Sequence, residues 1–142
     1  NYTSFLERAY QYVDFTKPSL DDCERIFSPG LGPADYAKHF IQWGAKIVLL
    51  TLGAKGTLLT TNRGEQYLLK PNKIKVADVT GAGDAFWSGF LSATIEGKSP
   101  IDAALSGQAL AEIKLETVGP LKAIPDRSSI DARIASIQYE QL

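Results

Sequence analysis

Apolar positions along the chain switch repeatedly between a period near 3.6 and short unbroken runs, the pattern of helices alternating with strands. Phe5, Leu6, Ala9, Tyr10 and Val13 recur at helical spacing, and the apolar run 13–16, ended by Lys17-Pro18, reads as a strand. Ser19 followed by Asp22 has the form of a helix N-cap, and Cys23, Ile26 and Phe27 supply the apolar face of a short helix that Pro29-Gly30 closes. Tyr36, Ala37, Phe40 and Ile41 mark a second amphipathic helix over 34–43. The run 46–52 contains Ile47-Val48-Leu49-Leu50 without polar alternation, which predicts a strand covered on both faces. Gly53-Ala54-Lys55-Gly56 then turns the chain into 57–61, and Asn62-Arg63-Gly64 turns it into 66–70, so these segments are expected to form an antiparallel hairpin in a mixed sheet. Segment 73–76 reads as strand-like, a strongly apolar helix follows 78–84 and ends near Gly97, and further helices are predicted over 100–115 and 128–139. No internal repeat, linker or low-complexity tract interrupts this order.

Composition agrees with one folded domain: of 142 residues 44% are hydrophobic and 22% charged, enough to build a core and too few charges for disorder. With Lys+Arg 15 against Asp+Glu 16, no excess of positive charge offers a grip on nucleic acid or on an anionic membrane surface. The longest apolar runs fall far short of the roughly 20 residues that cross a bilayer. Cys23, the one cysteine, cannot form an internal disulfide, and no Cys or His cluster has metal-ligand spacing, so a reducing, cytoplasmic setting is expected. The chain starts at Asn1 without a signal-peptide pattern and contains no methionine, so it is expected to be a fragment of a longer protein.

The segment that carries chemistry is Thr80-Gly81-Ala82-Gly83-Asp84, placed directly before the apolar helix. Glycines let successive backbone N–H groups converge without Cβ interference, and the helix behind them contributes its positive end, so the loop can hold phosphate oxygens. The other reading is a Gly-rich helix start that merely needs unusual dihedrals; the segment is not a Walker loop, which carries its own Lys-Ser/Thr ending. A carboxylate just beyond an anion-binding loop repels phosphate unless it faces the incoming nucleophile and accepts its proton, which points Asp84 toward phosphoryl transfer. As an alternative, Asp84 is a plain helix cap.

The string Asp78-Val79-Thr80-Gly81-Ala82-Gly83-Asp84-Ala85-Phe86 resembles the C-terminal signature of the ribokinase (PfkB) carbohydrate kinases, and the similarity extends from Lys17-Pro18 through 51–56 to 119–125. The resemblance implies the C-terminal portion of a ribokinase-like three-layer α/β/α sandwich, with a mixed, mostly parallel sheet and an antiparallel hairpin. Residues 1–142 would then be the nucleotide-binding part of a single domain whose N-terminal sugar-binding part and lid are absent. It further implies that Asp84 is the base that deprotonates a sugar hydroxyl and that the amides of Gly81, Ala82 and Gly83 form the anion hole for the transferring phosphate. Thr51, Gly53, Gly56 and Thr80 would contact the nucleotide, Val76 and the helix around Gln108 would wall the adenine, and Asp78 would lie near a monovalent cation such as K⁺. Taken alone, 51–56 reads more readily as a structural strand-turn and Val76 as a core residue.

Two positions depart from the family pattern. Ser19-Leu20-Asp21-Asp22 stands where relatives carry Asn-x-x-Glu, so Asp22 either organises Mg²⁺ through water or caps the helix, and Gln108 replaces a common Asn. The implied reaction is transfer of the γ-phosphate of MgATP to a sugar hydroxyl, with a fructokinase-like hexose favoured and a homodimer expected for the complete protein. Its rivals are a nucleoside or vitamin kinase of the same superfamily and a non-catalytic nucleotide-binding module. His39, with no acidic or serine partner nearby in sequence, reads as packed, Cys23 among acidic neighbours as inert, Phe86, Trp87 and Phe90 as core, and the 70–75 lysines as a solvated loop.

Overall fold

The computed structural model describes residues 2–121 and 123–142. Asn1 and Lys122, the latter within the 119–125 segment of the resemblance, lie outside the described residues. The chain divides into two compact units, Asn1–Leu69 with Tyr139–Leu142, and Lys70–Gln138.

The first unit is built on helices α1 (Tyr2–Tyr10), α2 (Leu20–Phe27) and α3 (Pro33–Trp43) and strands β1 (Phe15–Thr16), β2 (Ile47–Thr51), β3 (Thr57–Thr61), β4 (Gln66–Lys70) and β5 (Gln138–Gln141). The strands lie in the order β1-β2-β3-β4-β5. Phe15 pairs with Ile47 in parallel, whereas Leu49 pairs with Leu59 and Leu58 with Leu68 in antiparallel register. The sheet is mixed and carries the expected hairpin, but the expectation of a mostly parallel sheet is corrected: of the three strand pairs with a defined register, only β1–β2 is parallel. The reason is connection length, since short turns join β2 to β3 and β3 to β4, and only a crossover such as the α2–α3 stretch can return a strand in parallel. Tyr36, Ala37 and Phe40 on α3 are fully buried together with Cys23, Val48 and Leu50, and the alternate residues Leu49, Leu59 and Leu69 are fully buried too. Both faces of the sheet are therefore covered, as the unbroken apolar run required. Each of the Val, Leu and Phe side chains among them contributes about 1.5–3 kcal/mol by leaving water.

In the second unit, α4 (Ala82–Ile95), α5 (Pro100–Leu115) and α6 (Arg127–Ser136) follow one another. Ser99 caps α5 by accepting from the Asp102 N–H at 3.2 Å, and Asp126 caps α6 by accepting from the Ser129 N–H at 2.7 Å. Helices α4 and α5 touch through glycine: a Cβ on Gly89 would lie 2.4 Å from the Ser106 carbonyl oxygen, and one on Gly107 would lie 2.8 Å from that of Phe86. Two expectations fail here. Segment 73–76 forms no strand, and the chain just after it is tied instead to the end of α5, where the Ala77 N–H donates to the Leu115 carbonyl at 2.7 Å. The last helix stops at Ser136 rather than running to 139, because Gln138–Gln141 is taken up as the edge strand β5, with the rings of Tyr139 and Tyr67 at 6.0 Å. Pairing with a distant strand overrides a helical pattern that was local.

Candidate active site

The glycine loop of the second unit opens α4 with a backbone that only glycine adopts readily. Gly81 sits at the N-cap position with φ 78° and ψ 3°, and no side chain caps the helix. The N–H groups of Gly81 and Gly83 form no hydrogen bond among the described residues, whereas the Ala82 N–H is drawn to the Val79 carbonyl at 3.3 Å. Two of the three amides expected to face an anion are thus unengaged, and the third makes a long turn contact. Asp84, in the first helical turn, is exposed, and its carboxylate makes no capping bond; its backbone carbonyl accepts from the Ser88 hydroxyl at 2.9 Å. The helix-cap alternative for Asp84 accordingly has no bond to support it. Unbonded amides at the positive end of a 14-residue helix, next to a solvent-facing carboxylate, make a place where an anion can sit beside a proton acceptor.

Asp78 fixes the entrance to this loop. Its Oδ1 accepts from the Thr80 N–H and its Oδ2 from the Gly119 N–H, both at 2.9 Å, so one carboxylate ties the loop to the segment after α5. These donors, Thr80 first and then Gly119, hold the Asp78 carboxyl down at about 2, with a smaller contribution from the charge of Lys114. Lys114 itself is 4% exposed, and its Nζ donates to the Thr117 carbonyl at 3.1 Å. Its Cε would lie 3.7 Å from a Cβ on Gly81, so the lysine stem runs against the glycine loop.

Gln108 is buried on α5. It is 5% exposed, its Nε2 donates to Glu112 Oε1 at 3.3 Å, and its Oε1 has no partner among the described residues. Glu112 also accepts from the Asn72 N–H at 3.0 Å, from Asn72 Nδ2 at 2.9 Å and from Arg133 at 3.4 Å. This network, which ties the start of the unit to α5 and α6, escaped the sequence reading along with Lys114. The signal available was Gln108 and Glu112 one turn apart in a helix otherwise rich in Ala, Leu and Ile. Val76 is 52% exposed, so the alternative that made it a core residue is not met.

In the first unit the carboxyl ends of the parallel strands meet the start of α2. The Thr51 N–H donates to the Pro18 carbonyl at 2.9 Å, and Ser19 bridges to Thr51 in parallel. Beyond Thr51 the Gly53–Lys55 turn reverses the chain, with Gly53 at φ 59° and the Gly56 N–H donating to the Gly53 carbonyl at 3.1 Å. Thr51, Gly53, Gly56 and Ser19 are therefore neighbours along one strand end, the usual ligand-facing edge of an α/β sheet. Asp22 is occupied as a cap: its Oδ2 accepts from the Ser19 N–H at 3.0 Å and from the Ser19 hydroxyl at 2.7 Å, while the Asp22 N–H donates to Ser19 Oγ at 3.1 Å. The Ser19 N–H and then its hydroxyl lower the Asp22 carboxyl from its ordinary value. His39 stacks on Phe27 at 4.8 Å, as a packed histidine should, and burial pushes the Cys23 thiol up to about 12.

Residues 3–127 match the pfkB family carbohydrate kinase profile. The chain belongs to this family. The ATP-dependent 6-phosphofructokinase of Thermoanaerobacterium thermosaccharolyticum is 42% identical over 118 residues, 83% of this chain and 36% of its own length. The ribokinase of Haemophilus influenzae is 37% identical over 91 residues, 64% of this chain and 29% of its own length. Among solved structures, the ribokinase of Thermotoga maritima superposes with a TM-score of 0.80 at 32% identity, covering 92% of this chain and 45% of that one. The fructokinase of Vibrio cholerae, solved with fructose, ADP and calcium, superposes at 0.78 with 23% identity over 93% of this chain and 44% of its own. The fold is thus ribokinase-like, and the chain spans about a third of the length of these curated relatives. Among the described residues no helix is long and apolar enough to cross a membrane.

Proposed function

We propose that this chain is the nucleotide-binding, C-terminal part of an ATP-dependent sugar kinase in which Asp84 is the catalytic base. The observation that carries this reading is the pairing of two unengaged loop amides, Gly81 and Gly83, with an exposed, uncapped Asp84 on the same helix start. Asp84 accepts the proton of the sugar hydroxyl while that oxygen bonds to the γ-phosphorus; the bond from the γ-phosphorus to the bridging oxygen breaks, and ADP leaves with the electron pair. The Gly81 and Gly83 amides receive the charge that spreads over the transferring phosphoryl oxygens, and Ala82 joins them once its long contact to Val79 yields. Thr51, Gly53, Gly56 and Thr80 border the nucleotide, Val76 supplies exposed apolar surface for the base, and Gln108 acts behind that wall rather than on it. When bound, Mg²⁺ neutralises charge on the nucleotide phosphates. Asp22 fits it only through water, because Oδ2 is held by Ser19 and Mg²⁺ retains much of its own hydration.

A phosphorylatable hexose is the favoured acceptor, and the 42% identity to a 6-phosphofructokinase puts fructose 6-phosphate beside fructose in the panel to be tried. ATP use also favours a cytoplasmic setting. The test is turnover of the complete protein on that panel with ADP detection, in wild type and Asp84→Asn. Loss of a catalytic base lowers kcat by about 10²–10⁴ with the protein still folded and still binding ADP; equal turnover in the variant would refute the assignment.

A further inference from the structure

Lys114 is a buried cation that makes no salt bridge among the described residues, although its charge helps to hold down the Asp78 carboxyl. It is 4% exposed and has the Thr117 carbonyl as its hydrogen-bond acceptor. Burying an ammonium this way is costly unless negative charge arrives or is held close by. The lysine stem lies directly against the Gly81 end of the anion loop, with Cε 3.7 Å from where a Gly81 Cβ would be and Nζ one bond further on. The monovalent cation that the family resemblance implies near Asp78 meets oxygens that are already partly committed, with the lysine ammonium beside them. Both Asp78 oxygens are already engaged by backbone N–H groups, and the Thr117 carbonyl, an oxygen such an ion would need, is engaged by the lysine.

We infer that Lys114 is a built-in cation: its ammonium supplies beneath the glycine loop the fixed positive charge that a bound K⁺ would otherwise supply, and so makes the phosphate site independent of monovalent salt. Lys114 is a positioning residue here, acting on the phosphate through the loop and not by contact. The inference rests on the kinase reading for its kinetic consequence but not for its binding consequence.

The first measurement uses the wild-type complete protein in a buffer whose only monovalent cation is tetramethylammonium. Turnover is expected to change less than twofold on adding K⁺ or NH₄⁺, and strong stimulation would overturn the inference. Next, Lys114→Met is expected to lose about tenfold or more in kcat/KM for ATP, as removal of a fixed charge from a low-dielectric site does. K⁺ or NH₄⁺ should then restore a large part of that loss, and Lys114→Arg should keep most of the activity without added cation. A loss in Lys114→Met that no cation rescues, or no loss at all, would overturn it. Pyrophosphate-induced thermal stabilisation, followed in the same variants, needs no turnover. A wild type that binds pyrophosphate yet phosphorylates nothing would refute the kinase reading alone, whereas an unchanged pyrophosphate shift in a folded Lys114→Met would refute the built-in cation alone.

Discussion

In the Asn1–Leu69 unit, α3 meets the sheet through Tyr36 and Phe40, rings that are fully buried and that gather Phe27, Trp43 and Tyr10 around them. In the Lys70–Gln138 unit, α4 meets α5 through Gly89 and Gly107, where the backbones approach so closely that a single methyl group has no room. The first arrangement is a packed apolar core that tolerates some repacking, and the functional residues Thr51, Gly53 and Ser19 sit at its strand ends, held by backbone pairing. The second brings α4 and α5 together backbone to backbone and also buries the α5 polar groups Gln108, Glu112 and Lys114. A helix start that must present a glycine loop and a carboxylate at fixed positions gains from such a contact, because backbone against backbone has few alternative arrangements. The cost is a core with charged members, each of which needs a partner.

Three substitutions test that contrast, each followed by chemical denaturation of the complete protein and by hydrogen exchange resolved along the chain. Phe40→Ala should cost the most, about 3–5 kcal/mol, through the cavity it leaves, with faster exchange in α3, β2 and β3. Gly89→Ala should cost about 1–3 kcal/mol through overpacking against the Ser106 carbonyl, with faster exchange confined to α4 and α5. If those amides kept their protection, close backbone approach would not be what organises the second unit. Ser19→Ala should have the smallest effect, about 1 kcal/mol, because it removes a capping box at the end of one short helix. Its exchange signature belongs in α2, and a loss as large as that of Phe40→Ala would mean that Ser19 and Asp22 hold more than a cap.

Much of this was readable from local pattern. The helices at 100–115 and around 34–43, the Ser19-x-x-Asp22 cap, the hairpin at 57–61 and 66–70, and the glycine loop before an apolar helix all depend on interactions within a few residues, where spacing and residue type decide the outcome. The same local reading went astray at 137–139, where helical periodicity was outweighed by pairing at a sheet edge, and at 73–76, where apolar content suggested a strand but the chain that follows bonds to the end of α5.

What the amino-acid sequence determined by itself is the set of elements and the chemical character of the loop, since periodicity, capping and glycine freedom act over one or two turns. Only the tertiary structure decided which polar groups are buried and with whom. That Asn72, Glu112 and Arg133 share one network, that Asp78 clamps Gly119, and that Lys114 lies beneath Gly81 are facts about residues 33 to 41 positions apart, or on separate helices, brought together by packing. Burial changes the energy of a charge far more than its place in the sequence does, which is why the cation under the loop became visible only once the helices were assembled.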